Sequence, residues 1–191
     1  MKIGLFFGSF NPIHTGHLII ANHIVTRSSL DEVWLIISPQ NPFKNKSSLL
    51  DEKHRLYMAN MAVEDNYSIR ASNVEFHLPQ PSYTIDTLTY LKEQYPNHEF
   101  HLLMGSDNLA GIHKWKNASQ LLANYHIMVY VRPGSEEVEI PVGSNVSFME
   151  APLLNISSTY IRTSIANKHS IRYLVPEKVA EYIEEMHFYE Q

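Results

Sequence analysis

His14 and His17 lie three residues apart and bracket Gly16 in the stretch Gly8-Ser9-Phe10-Asn11-Pro12-Ile13-His14-Thr15-Gly16-His17. At the start of a helix, side chains at this spacing lean to the same side. Gly16 removes a side chain and lets a ligand approach the backbone. A helix N-terminus adds N–H groups without intrahelical partners and a partial positive charge. Two imidazoles on such a turn can bind phosphate and stabilise charge on it. A lone histidine is more often a cap or a packed core group, and the other nine are read that way. The pair around a glycine singles out His14 and His17.

Such a turn needs a strand before it and a helix after it, and the pattern supplies both. Ile3 to Phe7 is a short apolar run that reads as a buried strand. From Thr15 to about Ser28 the period turns helical, with Thr15 as the expected cap and Leu18, Ile19, Ala21, Asn22 and Val25 on the inner face. Further strands are expected at 31–38, 99–104, 125–131 and 146–150, and one or two extended pieces at 68–77. Helices are expected from Asp51 to about Glu64, from Ser82 or Thr84 to Gln94, at 117–123, at 158–167 and at 176–187, with Pro176 as a first helical residue. Strands alternate with helices and several are apolar throughout. This predicts an α/β fold, a doubly wound, Rossmann-like parallel sheet with helices on both faces and C-terminal helices closing it. Ligands then bind beyond the carboxyl ends of the strands. The Pro39 to Leu50 and Glu136 to Asn145 segments are the loops expected to move.

The chain has 191 residues, enough for one domain over 1–191 and too few for two full ones. With 15 Lys plus Arg against 20 Asp plus Glu, the formal net charge is -5. A mildly acidic chain argues against nucleic-acid and anionic-membrane partners but not against a local phosphate site. There are no cysteines, which excludes a thiolate nucleophile and Cys-ligated zinc and suits a cytoplasmic location. The N-terminal apolar run is too short for a signal peptide, and no stretch is long enough to cross a membrane. A homo-oligomer is allowed and not specified.

Four segments together carry a resemblance. The turn holds the H-x-G-H pattern of the nucleotidyltransferase superfamily. Pro81-Ser82-Tyr83-Thr84, with Asp86-Thr87 behind, resembles the substrate-binding segment of bacterial nicotinate-nucleotide adenylyltransferases. Gly105-Ser106-Asp107, followed by Trp115, is similar to their G-x-D and Trp pair. Ile156-Ser157-Ser158-Thr159-Tyr160-Ile161-Arg162 is similar to their I-S-S-T-x-I-R motif. The sequence departs from that pattern at three places. Phe7 stands for a glycine, Asn11 for a common Asp, and Phe43 for a frequent His.

The resemblance implies an adenylyltransferase that joins ATP and nicotinate mononucleotide to give nicotinate adenine dinucleotide and pyrophosphate. It implies His14, His17 and Arg162 as the catalytic groups on the phosphates. Gly8, Ser9, Phe10, Gly16, Gly105, Asp107, Ser157, Ser158 and Thr159 would bind ATP. Lys44, Ser82, Tyr83, Thr84, Trp115 and Arg132 would bind substrate. In this reading Thr84 and its backbone meet the nicotinate carboxylate, Trp115 stacks on the pyridine ring, and Asp107 accepts from a ribose hydroxyl. Mg²⁺ is implied as cofactor, held mainly by the ATP phosphates, and no protein metal ligand is expected. The partners are small molecules. Alternatives left open are phosphopantetheine or nicotinamide mononucleotide as the acceptor, and a nucleotide-binding regulatory module without catalysis.

Overall fold

The computed structural model describes residues 1–40, 49–131, 140, 142–152 and 154–190. Lys44, Phe43 and Arg132, with most of the two expected moving loops, lie outside the described residues. The strands are Lys2–Gly8 (β1), Glu32–Ile37 (β2), Ile69–Ser72 (β3), Glu99–Gly105 (β4), His126–Tyr130 (β5) and Val146–Met149 (β6). The helices are Thr15–Arg27 (α1), Glu52–Val63 (α2), Thr84–Gln94 (α3), Ser106–Ala110 (α4), Ala118–Asn124 (α5), Ser158–Ala166 (α6) and Glu177–Glu185 (α7).

The six strands form one sheet in the order β3-β2-β1-β4-β5-β6, and every neighbouring pair is parallel. β1 registers Gly8 against Ile37 on one side and Phe6 against Leu103 on the other. The chain winds outward from β1 to β3, then returns to β4 and winds outward the other way. The order therefore reverses between β1 and β4, and a crevice opens there at the carboxyl edge.

Both faces are covered, which explains why the central strands are apolar at successive positions. On one face Phe6, Val33, Leu35, Ile37, Leu103 and Met128 pack with Ile20, Ala21, Ile24 and Met58 of α1 and α2, Ile161 of α6, and Val179 and Ile183 of α7. On the other, Ile3, Leu5, Trp34 and Ile36 meet Ile85, Leu88 and Leu91 of α3. Leu102, Met104, Ile127 and Val129 meet Leu109 of α4 and Leu122 of α5. In a parallel sheet the crossover helices run back against the strands, so their N-termini gather at the carboxyl edge.

Several local expectations change. His14, not Thr15, is the residue at the cap of α1, with φ -146 and ψ 166. Thr15 is instead tied to the far end of the chain: its N–H donates to the Leu174 carbonyl and its hydroxyl to the Tyr173 carbonyl. The inner face of α1 is Ile20, Ala21, Ile24 and Val25, and Asn22 is exposed. Only 69–72 of the expected extended stretch is a strand. Val74–His77 coils into a 3₁₀ turn, which takes Glu75 inside, where its Oε1 accepts a hydrogen bond from the Thr87 hydroxyl at 2.8 Å. Pro176 sits at the cap of α7, one position before the helix. α4, five residues starting straight after β4, had no periodicity to announce it. Among the described residues, no helix is long and apolar enough to cross a membrane.

Candidate active site

The turn after β1 is built around Phe10. Its φ of 43° lies in the left-handed region, unusual for a non-glycine residue. It is stabilised by burial, since Phe10 packs edge-on against Phe6 and His17 at centroid distances of 5.9 and 5.0 Å. Gly8 is required beneath it, because a Cβ there would stand 2.9 Å from the Phe10 ring. Phe7, where the family pattern has glycine, points to the opposite side and packs with the α3 and α4–α5 clusters, so it leaves this turn clear.

His14 and His17 lie against each other, their rings stacked at 3.6 Å and 24°. The His14 backbone N–H donates to His17 Nδ1 at 3.3 Å. A neutral His17 ring then carries its proton on Nε2, at the far edge of the ring, as a donor. His14 is buried and His17 half-buried. Gly16 has a sharper reason than ligand approach: a Cβ there would lie 3.1 Å from the His14 ring. The Thr15 N–H is already taken by Leu174, so the helix start presents fewer backbone donors than its position alone suggests.

α6 brings Arg162 to this turn. Arg162 Nη1 donates to the Asn11 carbonyl at 2.8 Å and Nη2 to the Thr159 hydroxyl at 3.2 Å. The guanidinium is thereby aimed by its own helix and by the H-x-G-H turn together. Ser157 caps α6, accepting from the Tyr160 N–H at 3.1 Å. The Ser158 hydroxyl donates to the Pro12 carbonyl at 2.9 Å and pins the helix start to the turn.

Sequence reasoning missed two residues that hold this assembly. Arg55 of α2 is fully buried. Its Nε donates to the Leu50 carbonyl at 2.8 Å, Nη1 to the carbonyls of Ser9 and Ser38, and Nη2 to the Pro39 carbonyl at 3.0 Å. One side chain thus ties the carboxyl ends of β1 and β2 together. Burial pulls its pKa below the usual guanidinium value, against the pull of Glu52, Tyr189 and Asp51. Asn11 is the second. Its Oδ1 accepts from the Leu50 N–H at 3.2 Å and from the Tyr189 hydroxyl at 2.8 Å.

A second group gathers on the other side of the crevice. α3 starts at Thr84 with Tyr83 in the cap position and no side chain capping it. Its first N–H groups and dipole favour an anion. Lys116 clamps this start from across the site. Its Nζ lies 2.8 Å from Asp86 Oδ2 and 4.9 Å from the centre of the Tyr83 ring. That clamp brings the 83–86 segment beside Trp115, which is half-buried and packs with both apolar clusters of this face. Ser82 is buried. Behind it Glu75 is a buried carboxyl whose pKa burial pushes up, opposed by the hydrogen bond from the Thr87 hydroxyl. Gly105 ends β4, and its lack of a Cβ lets the Asp107 carboxylate and the Tyr130 ring close over it. Asp107 is exposed in the first turn of α4.

Among the described residues, no three His, Asp or Glu side chains could together hold a metal ion. Around the turn the donors are imidazoles, hydroxyls and a guanidinium. These suit phosphate oxygens, and with them a cation carried on those phosphates, rather than a dedicated metal cage.

The cytidylyltransferase-like family model matches residues 5–164. A Flavobacterium johnsoniae protein named probable nicotinate-nucleotide adenylyltransferase is 51% identical over the full length of both chains. A Cytophaga hutchinsonii protein of the same name is 52% identical over 99% of this chain and 98% of its own. The Plasmodium falciparum nicotinic acid mononucleotide adenylyltransferase complexed with NaAD shares the fold, with a TM-score of 0.84 at 23% identity, over 99% of this chain and 97% of that one. The chain belongs to the cytidylyltransferase-like family and, within it, to the nicotinate-nucleotide adenylyltransferases.

Proposed function

We propose that residues 1–191 act as one nucleotidyltransferase domain that joins ATP and nicotinate mononucleotide, giving nicotinate adenine dinucleotide and pyrophosphate. The observation that carries the reading is the stacked His14–His17 pair on the same turn to which Arg162 is bound through the Asn11 carbonyl. That is a compact set of donors for a polyphosphate at the switch point of the sheet.

The acceptor's phosphate oxygen attacks the α-phosphorus of ATP, the bond from that phosphorus to the β-bridging oxygen breaks, and pyrophosphate leaves. A phosphate monoester with a second pKa of about 6 is already largely ionised at pH 7, so no general base is needed. What the chain supplies is alignment and charge stabilisation. His17 Nε2 and the His14 ring meet the α- and β-phosphates. Arg162 meets the β- or γ-phosphate as a fork. Gly8, Ser9, Phe10, Gly16, Ser157, Ser158 and Thr159 shape the cradle. Asp107, beside Gly105, accepts from a ribose hydroxyl. The family resemblance also gives Lys44 and Arg132, which lie outside the described residues, a part in substrate binding. Mg²⁺ would be held mainly by the ATP phosphates and would supply further charge neutralisation.

For the acceptor, the uncapped start of α3 at Thr84 favours a carboxylate over an amide, which supports nicotinate over nicotinamide. Ser82 and Tyr83 border that start, and Trp115 is the platform for the pyridine ring. The reading implies small-molecule partners and a cytoplasmic location. Mass spectrometry of a reaction with ATP, Mg²⁺ and nicotinate mononucleotide tests it. Nicotinate adenine dinucleotide and pyrophosphate should appear in equal amounts, and absence of the dinucleotide would overturn the proposal.

A further inference from the structure

Tyr189 lies 178 residues along the chain from Asn11, yet its hydroxyl donates to Asn11 Oδ1 at 2.8 Å. We infer that Tyr189 is a positioning residue of the transfer site: its hydroxyl fixes the Asn11 turn in the arrangement from which Arg162 grips phosphate. This rests on the proposed role of that turn in binding ATP.

Four observations converge on it. First, Asn11 is a hub and is almost fully buried, at 4% exposure. Its side-chain oxygen takes the Leu50 N–H and the Tyr189 hydroxyl, while its backbone oxygen takes Arg162 Nη1. The Leu50 N–H can only donate, so it fixes which end of the amide faces Tyr189. Rotation of Asn11 would therefore disturb the Arg162 anchor directly.

Second, the backbone around Tyr189 is bent to deliver it. His187 and Tyr189 have φ values of 54° and 65°, in the left-handed region that non-glycine residues rarely occupy. Such backbone persists where surrounding contacts over-determine it, and it clusters at functional positions. Here the Phe188 N–H donates to the Ile183 carbonyl at 3.0 Å, and the Phe188 ring packs at 4.8 Å from His54 and 5.7 Å from Tyr182. Phe188 thus anchors the segment in the core while the strained backbone turns Tyr189 toward Asn11.

Third, the phenol remains a donor. Burial pushes its pKa above the usual tyrosine value, although Arg162 and Arg55 both pull the other way. Those two arginines are the ones that hold the Asn11 and Ser9 carbonyls, so the hydroxyl lies in the field of both anchors. Fourth, the same end of the chain grips the other side of the turn, through the Leu174 and Tyr173 carbonyls on Thr15. The C-terminal segments are therefore part of the scaffold of the phosphate turn and not an appendage to it.

The test is Tyr189→Phe in the full chain, which keeps the ring and removes one hydrogen bond. Steady-state kinetics should show kcat/KM for ATP falling about three- to tenfold, the value of one buried hydrogen bond. KM for the mononucleotide should move less than twofold. Calorimetric binding of ATP should weaken by a similar factor. Introduced into Arg162→Lys, the same change should cost less than it does in the native chain, because both act on one contact. Wild-type ATP kinetics and binding in Tyr189→Phe would overturn the inference. So would equal losses for both substrates, or full additivity with Arg162→Lys. If the unmodified chain binds ATP but transfers nothing, the proposed activity fails and the binding measurement still decides the role of Tyr189.

Discussion

Replacing Arg55 by lysine probes how the two halves of the phosphate site are held together. The guanidinium donates to four backbone carbonyls, those of Leu50, Ser9, Ser38 and Pro39. An ammonium group keeps the charge but has three donors, a shorter reach and no planar fork. It should keep about two of these bonds. Losing two bonds at about 1 kcal/mol each destabilises the fold by about 2 kcal/mol. In a chain of this size that lowers the melting temperature by about 4–8 °C. Because Ser9 and Ser38 directly follow neighbouring strands, the loss should reach the site. KM for ATP should rise several-fold at temperatures far below the melting point. Arg55→Met removes all four bonds and should cost more on both measures. The assays are thermal unfolding followed by circular dichroism and initial-rate kinetics on the same preparations. A lysine variant with wild-type melting temperature and wild-type KM for ATP would refute the reasoning, since the fork would then hold nothing that matters.

Three further outcomes follow from the same geometry. His17→Ala should lower turnover about a hundredfold, as for loss of a donor used in the transition state, and a near-normal rate would remove His17 from the mechanism. Trp115→Ala should raise KM for the mononucleotide far more than KM for ATP, whereas equal effects would make Trp115 a packing residue. The third concerns His101 and His126, which face each other on β4 and β5 with their Nδ1 atoms 2.9 Å apart. His101 Nε2 is 3.1 Å from Glu99 Oε1, and His126 Nε2 is 2.8 Å from the Ser147 hydroxyl. Burial holds the pKa of both below the usual histidine value, in spite of Glu99. Unfolded, each would take a proton near pH 6.5, while folded each takes it only at lower pH. The unfolded state then binds more protons, so stability falls as pH drops below about 6.5, by at most about 1.4 kcal/mol per pH unit for each group. Denaturant midpoints between pH 7.5 and 5.5 should show that fall, and His101→Asn should flatten it. An unchanged slope would contradict the assignment.

The central strands were legible because burial on both faces leaves no polar residue in 3–7 and 33–37 and admits only His101 in 100–104. The H-x-G-H spacing was legible because a single helix turn brings His14 and His17 together. What could not be read depends on long-range contact. Within Glu52-Lys53-His54-Arg55, nothing separates the fully buried arginine from its exposed or half-buried neighbours, because its partners are backbone carbonyls and carry no sequence signature. Glu75 falls in the stretch expected to be extended, and nothing local marks it as buried until Thr87 is seen to bond it. The Lys116–Asp86 clamp spans 30 residues, and the Tyr189–Asn11 contact nearly the whole chain. Ser157, Ser158 and Thr159 read alike as donors at a helix start, and only the packing of α6 on Pro12 shows that Ser157 caps the helix while Ser158 pins it.

Pyrophosphate release with ATP and Mg²⁺, offering nicotinate mononucleotide, nicotinamide mononucleotide and phosphopantetheine separately, tests the central claim most directly. The uncapped α3 start beside Trp115 predicts the highest kcat/KM for nicotinate mononucleotide, by about ten- to a hundredfold over the amide, the worth of a charge-assisted hydrogen bond. Faster turnover of phosphopantetheine, or no release with any of the three, would contradict it.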